Sequence, residues 1–401
     1  MTRLRALSLV LCAALGGSLS AHAADPIKIG VSAPFTGGSS PMGLSMRDGV
    51  KLAVAEINKA GGLLGRQIQL VERDDEAKNE RGVQVTQELI NKEHVVATLG
   101  YANTGVALAS TRFYQEAKIP VFDNIATGSS VTQQFLPPEF PDNYVFRNAA
   151  YDGIQAHMIV EEAVVRRKLT KVAILNDDTN YGMLGRGDLE KALAAKGVKP
   201  VAEEKFKIKD VDMTAQLLRA KEAGAEAILT YAIGPELAQV ANGMKKLGWK
   251  VPMIGSWTLS MGNFIDNAGA ESEGVRMPQT FIQEPNTPKR KAFIEAYVKA
   301  YNPPNGRIAS PVSAAQGYDS ILLLAAAIRQ AGSTDGPAIR AALENLKEKV
   351  DGVVTVYEHP FSHDNHEAIT ANIPVIGEVR GGHVVYAYEE ERKNPLRLEK
   401  H

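Results

Sequence analysis

The 401-residue chain has a single cysteine, Cys12, and it lies among the first residues, so no disulfide can form within the chain. It has no excess of charge of one sign either: 45 basic residues stand against 46 acidic ones. Without a basic field there is nothing to hold a nucleic-acid backbone. The phosphate-loop pattern GxxxxGK[ST] is missing; the run GGLLGR at 61–66 lacks both its lysine and the helix that should follow. GxSxG and HExxH are absent as well. No nucleophile, base and orienting group are spaced as a catalytic set, so the chain is not expected to be an enzyme. Three histidines in HPFSHDNH, His359, His363 and His366, have zinc-like spacing but sit in a loop of Pro, Asn and Asp. No metal and no cofactor is expected.

Long apolar runs are also scarce. The one near the start, about Leu7 to Leu19, follows Arg3 and Arg5 and precedes the small-x-small site Ala21-His22-Ala23. That is the pattern of a secretory signal peptide over residues 1–23, and the run is too short to span a bilayer comfortably. Cys12 falls inside it, preceded by Leu11 rather than a small residue, so no lipid anchor is expected. The chain then reads as exported to a periplasm without thiols. Loss of Arg3 and Arg5 leaves 43 basic against 46 acidic residues, a net charge near −3.

What remains is ordinary for a folded protein, 44% apolar and 23% charged, and long enough for two domains. Short apolar runs alternate with amphipathic ones. Strands are expected at 27–35, 67–75, 95–100 and 119–124, with helices at 45–62, 80–93 and 104–118 between them. A Pro-rich interruption spans 135–150. The alternation then restarts: helix 152–169, strand 171–177, helix 182–197, an edge-like strand near 200–206, helix 213–223, strand 225–232, helix 235–247 and strand 251–257. Helix-rich stretches follow at 288–301 and 310–347, and a strand pair turning at Gly381-Gly382 closes the chain. Such alternation predicts an α/β fold with parallel, doubly wound sheets.

Ligands of open α/β sheets sit beyond the carboxyl ends of the strands. Three loops there are rich in small polar residues: 32–43, 100–105 and 124–130. The second and third hand a strand over to a helical pattern, where unpaired backbone N–H groups and hydroxyls attract an anion. Each loop alone reads equally well as a helix cap. Two at successive strand ends favour one shared carboxylate site.

The segments IKIGVSAPFTG, GVKLAVAEINKAGGLLGRQIQLVERDDE, NDDTNYGMLGR and GPELAQVANGMKKLGWKVPMIG resemble the type I periplasmic solute-binding proteins of the leucine/isoleucine/valine-binding family, and the resemblance runs over nearly the whole chain past residue 24. It implies two α/β lobes joined by three crossovers, divided as 24–149 plus 282–352 and 150–281 plus 353–395, with the ligand between them. By position it implies a carboxylate held by Asn103 and Thr104 and by Ala126 and Thr127, an aromatic wall at Tyr181, Asp152 near the first crossover, and Met42 where an aromatic residue often covers the ligand.

One departure matters. Trp257 stands where amino-acid binders of this family carry the acid that holds the α-ammonium group, and Ile233 replaces a second polar aromatic. Trp257 is either a core tryptophan or a ligand wall, and a wall of ~200 Å² contributes several kcal/mol against an apolar ligand. An aromatic or otherwise hydrophobic acid is therefore expected before an apolar amino acid, although Asp152 keeps the amino acid in play. The implied partners are this small carboxylate and an inner-membrane ABC permease with its ATPase subunits, the chain acting as a monomer. A sensor subunit with the same fold is the rival role.

Overall fold

The computed structural model describes residues 25–393. The expected signal peptide, residues 1–23 with Cys12, lies outside the described residues.

The first sheet is built from β1 (Ile27–Ala33), β2 (Ile68–Asp74), β3 (Ala97–Gly100), β4 (Val121–Asp123) and β5 (Val145–Arg147), all parallel, in the spatial order β2-β1-β3-β4-β5. Its connecting helices are α1 (Ser40–Lys59), α2 (Asn79–Gln87) and α3 (Thr104–Ala117). The chain then crosses to a second layer of α4 (Asp152–Val160), β6 (Val172–Asp177), α5 (Asn180–Ala195), β7 (Ala202–Phe206), α6 (Thr214–Glu222), β8 (Ala227–Tyr231), α7 (Gly234–Lys246), β9 (Met253–Gly255), α8 (Gly262–Ala268) and β10 (Arg276–Gln279). It returns for α9 (Pro288–Tyr301), α10 (Pro311–Ala331), α11 (Gly336–Glu344) and the short pair β11 (Val350–Asp351) and β12 (Val356–Tyr357). The third crossing leads to the hairpin β13 (Val375–Arg380) and β14 (His383–Tyr386), then α12 (Glu389–Lys393). The second sheet runs β14-β13-β10-β9-β8-β6-β7, with β13 and β14 antiparallel at one edge.

Central strands such as β1 and β6 are buried along almost their whole length, which is why they read as continuous apolar runs rather than alternating ones. The edge strand β7 alternates instead. Helix α10 is buried nearly all round, its polar Ser313, Gln316, Asp319 and Ser320 included, and packs along α1. Gly49 and Gly317 permit that approach: a Cβ at Gly49 would lie 2.0 Å from the Ala314 carbonyl oxygen, and one at Gly317 would lie 2.4 Å from that of Met46.

Two expectations change. The strand predicted at 251–257 stops at Gly255, and Trp257 opens a short 3₁₀ turn (Trp257–Ser260). Hydroxyls turn the chain there: Thr258 Oγ1 donates to the Ala232 carbonyl and Ser260 Oγ to that of Trp257. The helices predicted at 80–93 and 152–169 pass into π turns at Glu88–Lys92 and Glu161–Arg166. Past residue 352 the chain keeps its contacts with the first sheet and α10 for a further stretch. Val353 and Val354 donate to Asp319 of α10, and the segment at 366–368 pairs with β5. Residues 353–369 therefore pack on the first lobe, and the chain rejoins the second sheet only at β13.

Candidate functional site

Three loops leave the carboxyl ends of β1, β3 and β4 and lock together. Asn103 Nδ2 donates to Ser39 Oγ at 3.2 Å, and the Gly128 N–H donates to Thr104 Oγ1 at 3.2 Å. Gly128 is needed for that contact, since a Cβ there would sit 2.3 Å from Thr104 Cγ2. Opposite them, the second lobe presents Tyr181 in the first turn of α5, Ile233 at the cap of α7 and Trp257 after β9. Asp152 opens α4 just past the first crossing, its N–H donating to the Thr127 carbonyl at 2.7 Å. The lobes touch: Asn263 Nδ2 donates to the Gly38 carbonyl, and Ser129 Oγ to Asp188 Oδ2. The cleft between them measures about 750 Å³ and is lined by Asn103, Thr104, Tyr181, Ile233 and Glu236 among others. A small void deeper in is lined by Thr127, Gln155 and Trp257.

The polar atoms here are buried yet unpaired. Asn103 Oδ1, Thr127 Oγ1, both carboxylate oxygens of Asp152, the Tyr181 hydroxyl and Trp257 Nε1 have no hydrogen-bond partner. In folded proteins the great majority of buried polar atoms are paired, so this group leaves hydrogen-bonding capacity unused beside the cleft and the void. Burial pushes the Asp152 carboxyl up to about 7, while the nearby Thr127 hydroxyl and the Arg147 charge pull the other way. Burial, then the Asp152 carboxylate, holds the Tyr181 hydroxyl well above its ordinary range, so it remains an O–H donor. Thr127, Tyr181 and Trp257 thus supply three donors here, with the Thr127 hydroxyl near enough to Asp152, and the Ser256 and Thr258 hydroxyls near enough to Tyr181, to pull those groups down against burial.

Of the nine residues singled out from sequence, Asn103, Thr104, Tyr181 and Ile233 line the cleft, and Thr127 and Trp257 line the void. Asp152 is fully buried against Thr127. Two do not reach the cleft wall. Met42 lies in the core of the first lobe, 1% exposed, because α1 starts at Ser40 and turns that side chain inward. Ala126 is 1% exposed; its N–H is taken by the Tyr101 carbonyl and its carbonyl accepts from Arg147.

Sequence reasoning missed Arg147. Its guanidinium is fully buried, paired to Glu367 through Nε and Nη2, and donates to the Gly128 carbonyl at 2.8 Å. It therefore fixes the loop that carries Thr127. An arginine directly after the apolar run YVF was the available signal. His366 also has a structural setting: its ring stacks on Phe146 at 4.0 Å and Nδ1 meets the Val145 carbonyl at 2.9 Å. Among the described residues no three His, Cys, Asp or Glu stand together as metal ligands.

Residues 26–378 match the family described as periplasmic binding protein. The Leu/Ile/Val-binding protein homolog 3 of Brucella melitensis is 30% identical over 359 residues, which is 88% of this chain and 93% of that protein. Among solved structures, a periplasmic binding protein type 1 from Bordetella pertussis superposes with a TM-score of 0.80 at 28% identity, covering 90% of this chain and 99% of the other. The branched-chain amino acid substrate-binding protein LivJ of Streptococcus pneumoniae, solved with isoleucine, gives 0.77 at 25% identity, covering 90% and 97%. These are solute-binding proteins rather than enzymes. The chain belongs to the type I periplasmic solute-binding proteins of the leucine/isoleucine/valine-binding family, the ligand-capturing components of ABC transporters.

Proposed function

We propose that the chain, exported by cleavage after residue 23 and without a lipid anchor, captures a small hydrophobic carboxylate as a monomer and presents it to an inner-membrane ABC permease and its ATPase subunits. An aromatic acid is the preferred ligand. The carrying observation is the set of three unpaired donors, Thr127 Oγ1, the Tyr181 hydroxyl and Trp257 Nε1, beside apolar surface from Trp257 and Ile233. A carboxylate satisfies the donors, and each charge-assisted bond contributes roughly 1.5–3 kcal/mol. Domain closure around the ligand is the motion expected of periplasmic binding proteins. A neutral Asp152, its carboxyl near 7, adds a fourth donor.

One observation favours a second reading. Both Asp152 oxygens lack partners, and an ammonium group would meet them. In that reading the ligand is an apolar amino acid, and Asp152 replaces the acid absent at Trp257. Competitive calorimetry on the chain lacking residues 1–23 decides between them. The aromatic reading expects benzoate or cinnamate to bind more tightly than leucine, isoleucine, valine or phenylalanine, with Trp257→Ala harming the aromatic acids most. Tight leucine and weak benzoate would make Asp152 the ammonium partner instead.

A further inference from the structure

The cleft has a second unpaired pole that the donor set does not use. Glu236 lies in the first turn of α7, three residues past Ile233, and is 4% exposed while lining the cleft wall. Its Oε1 accepts the Lys209 N–H at 2.8 Å; its Oε2 has no partner. Behind it, at the end of β6, Asp177 spends Oδ1 on the Thr179 N–H and hydroxyl and leaves Oδ2 unpaired. Burial, opposed by the Thr179 bonds and reinforced by the Glu236 charge, pushes Asp177 up to about 6. Clipping the 207–213 loop through Lys209 requires one acceptor oxygen, which a glutamine would supply without a second, charged oxygen left over. Glu236 and Asp177 thus place unpaired acceptors at this pole, which Lys78 and Lys209 also line, whereas the unpaired donors are Thr127, Tyr181 and Trp257. The volume points the same way: a cavity of about 150 Å³ holds a benzene ring, and this cleft measures about 750 Å³. A ligand confined to the Thr127 void would leave that space and the Glu236 oxygen unused, whereas Tyr181 of the donor set lines the same cleft as Glu236.

Granted the carboxylate reading above, on which this rests, we propose that Glu236 is the ligand's second anchor: it accepts a hydrogen bond from an ammonium or hydroxyl group carried at the end of the ligand remote from its carboxylate. The substrate class is then a bifunctional acid rather than a simple one. A buried carboxylate left unpaired is costly, so a matching donor is strongly selected over its absence.

Calorimetry with the chain lacking residues 1–23 tests this by pairs: benzoate against para-hydroxybenzoate and para-(aminomethyl)benzoate, and leucine against lysine. In the wild type, the donor-bearing acid of at least one pair binds ten-fold or more tightly than its parent; the hydroxyl and ammonium arms show which donor is used. In Glu236→Gln, which keeps the acceptor for Lys209, that ratio collapses toward one, with the melting temperature confirming the fold. Parent acids that bind while no donor-bearing acid gains anything overturn the second anchor and leave the carboxylate reading standing. A ratio that survives Glu236→Gln overturns it likewise. Failure of every acid to bind the wild type overturns the carboxylate reading and the second anchor with it.

Discussion

Two buried polar clusters lie within a few residues of each other and have opposite character. Around Arg147, the guanidinium itself is fully engaged: Nε and Nη2 meet Glu367, Nη1 donates to the Gly128 carbonyl, and Thr132 Oγ1 donates to Glu367, while the neighbouring Asp123 keeps Oδ2 unpaired 4.0 Å from Nη1. Around Asp152, both carboxylate oxygens, the Thr127 hydroxyl and the Tyr181 hydroxyl are buried just as deeply and have no partner. The first cluster holds a loop in place. The second lies against that loop at Thr127, whose carbonyl accepts the Asp152 N–H. A low-dielectric interior makes an unpaired polar group costly, so a ligand that supplied the missing partners at the second cluster would be favoured there. Satisfaction, rather than burial, separates the Arg147 guanidinium from the Asp152 carboxylate.

The largest expected effect comes from breaking the satisfied cluster. Arg147→Met should destabilise the ligand-free protein by roughly 3–5 kcal/mol, because Glu367 loses its partner in a mostly buried place. Urea denaturation measures it; a loss under 1 kcal/mol would mean that Arg147 is dispensable to the loop.

Asp152→Asn should do the reverse. The carboxyl is raised from an ordinary value near 3.8 to about 7, so the folded state holds its proton more tightly than the unfolded one. Its contribution to stability is full at low pH and declines as pH rises from about 4 to 7. The asparagine variant should be the more stable form above pH 7, by on the order of 3 kcal/mol. Asp75 and Asp319, also raised to about 7, share this slope, so the readout is the difference between variant and wild type at pH 5 and pH 8. The ligand sharpens the contrast. An aromatic acid that uses neutral Asp152 as a donor binds more weakly as pH passes 7; an amino acid that uses the carboxylate binds more tightly.

Thr127→Val should weaken carboxylate binding by roughly 1–3 kcal/mol, with no loss of stability in the ligand-free protein, since the hydroxyl it removes is unpaired. Calorimetry and a melt on the same sample separate the two effects. The smallest change is expected at Ser129, whose Oγ bridges to Asp188 of α5 and accepts from the Gly153 N–H. Ser129→Ala should cost binding about 1 kcal/mol by loosening closure, visible as a faster off-rate.

The first lobe was legible in the sequence because its strands are buried on both faces and its helices are amphipathic. Two different periods therefore alternate along the chain. The small residues of the 100–105 and 124–130 loops marked the site for a physical reason, since only small groups allow the Gly128–Thr104 contact. Strand β5 was hidden, three residues long inside a Pro-rich stretch, and β10 carries Pro278 in its middle. The partner of Arg147 lies 220 residues away, and no local pattern announces such a pair. Met42 and Ala126 show the limit of positional analogy: Met42 turns into the core of the first lobe, and the backbone groups of Ala126 are taken by hydrogen bonds to Tyr101 and Arg147. Glu236 went unremarked because an acid in the first turn of a helix reads as an ordinary complement to the helix dipole.

The central claim, that the unpaired cluster is the ligand's place, is tested most directly by a crystal structure of the protein with its tightest-binding acid. The ligand carboxylate should lie within about 2.5–3.2 Å of Thr127 Oγ1 and the Tyr181 hydroxyl, with Asp152 newly bonded to the ligand. A ligand bound elsewhere, with Thr127, Asp152 and Tyr181 still without partners, would contradict it.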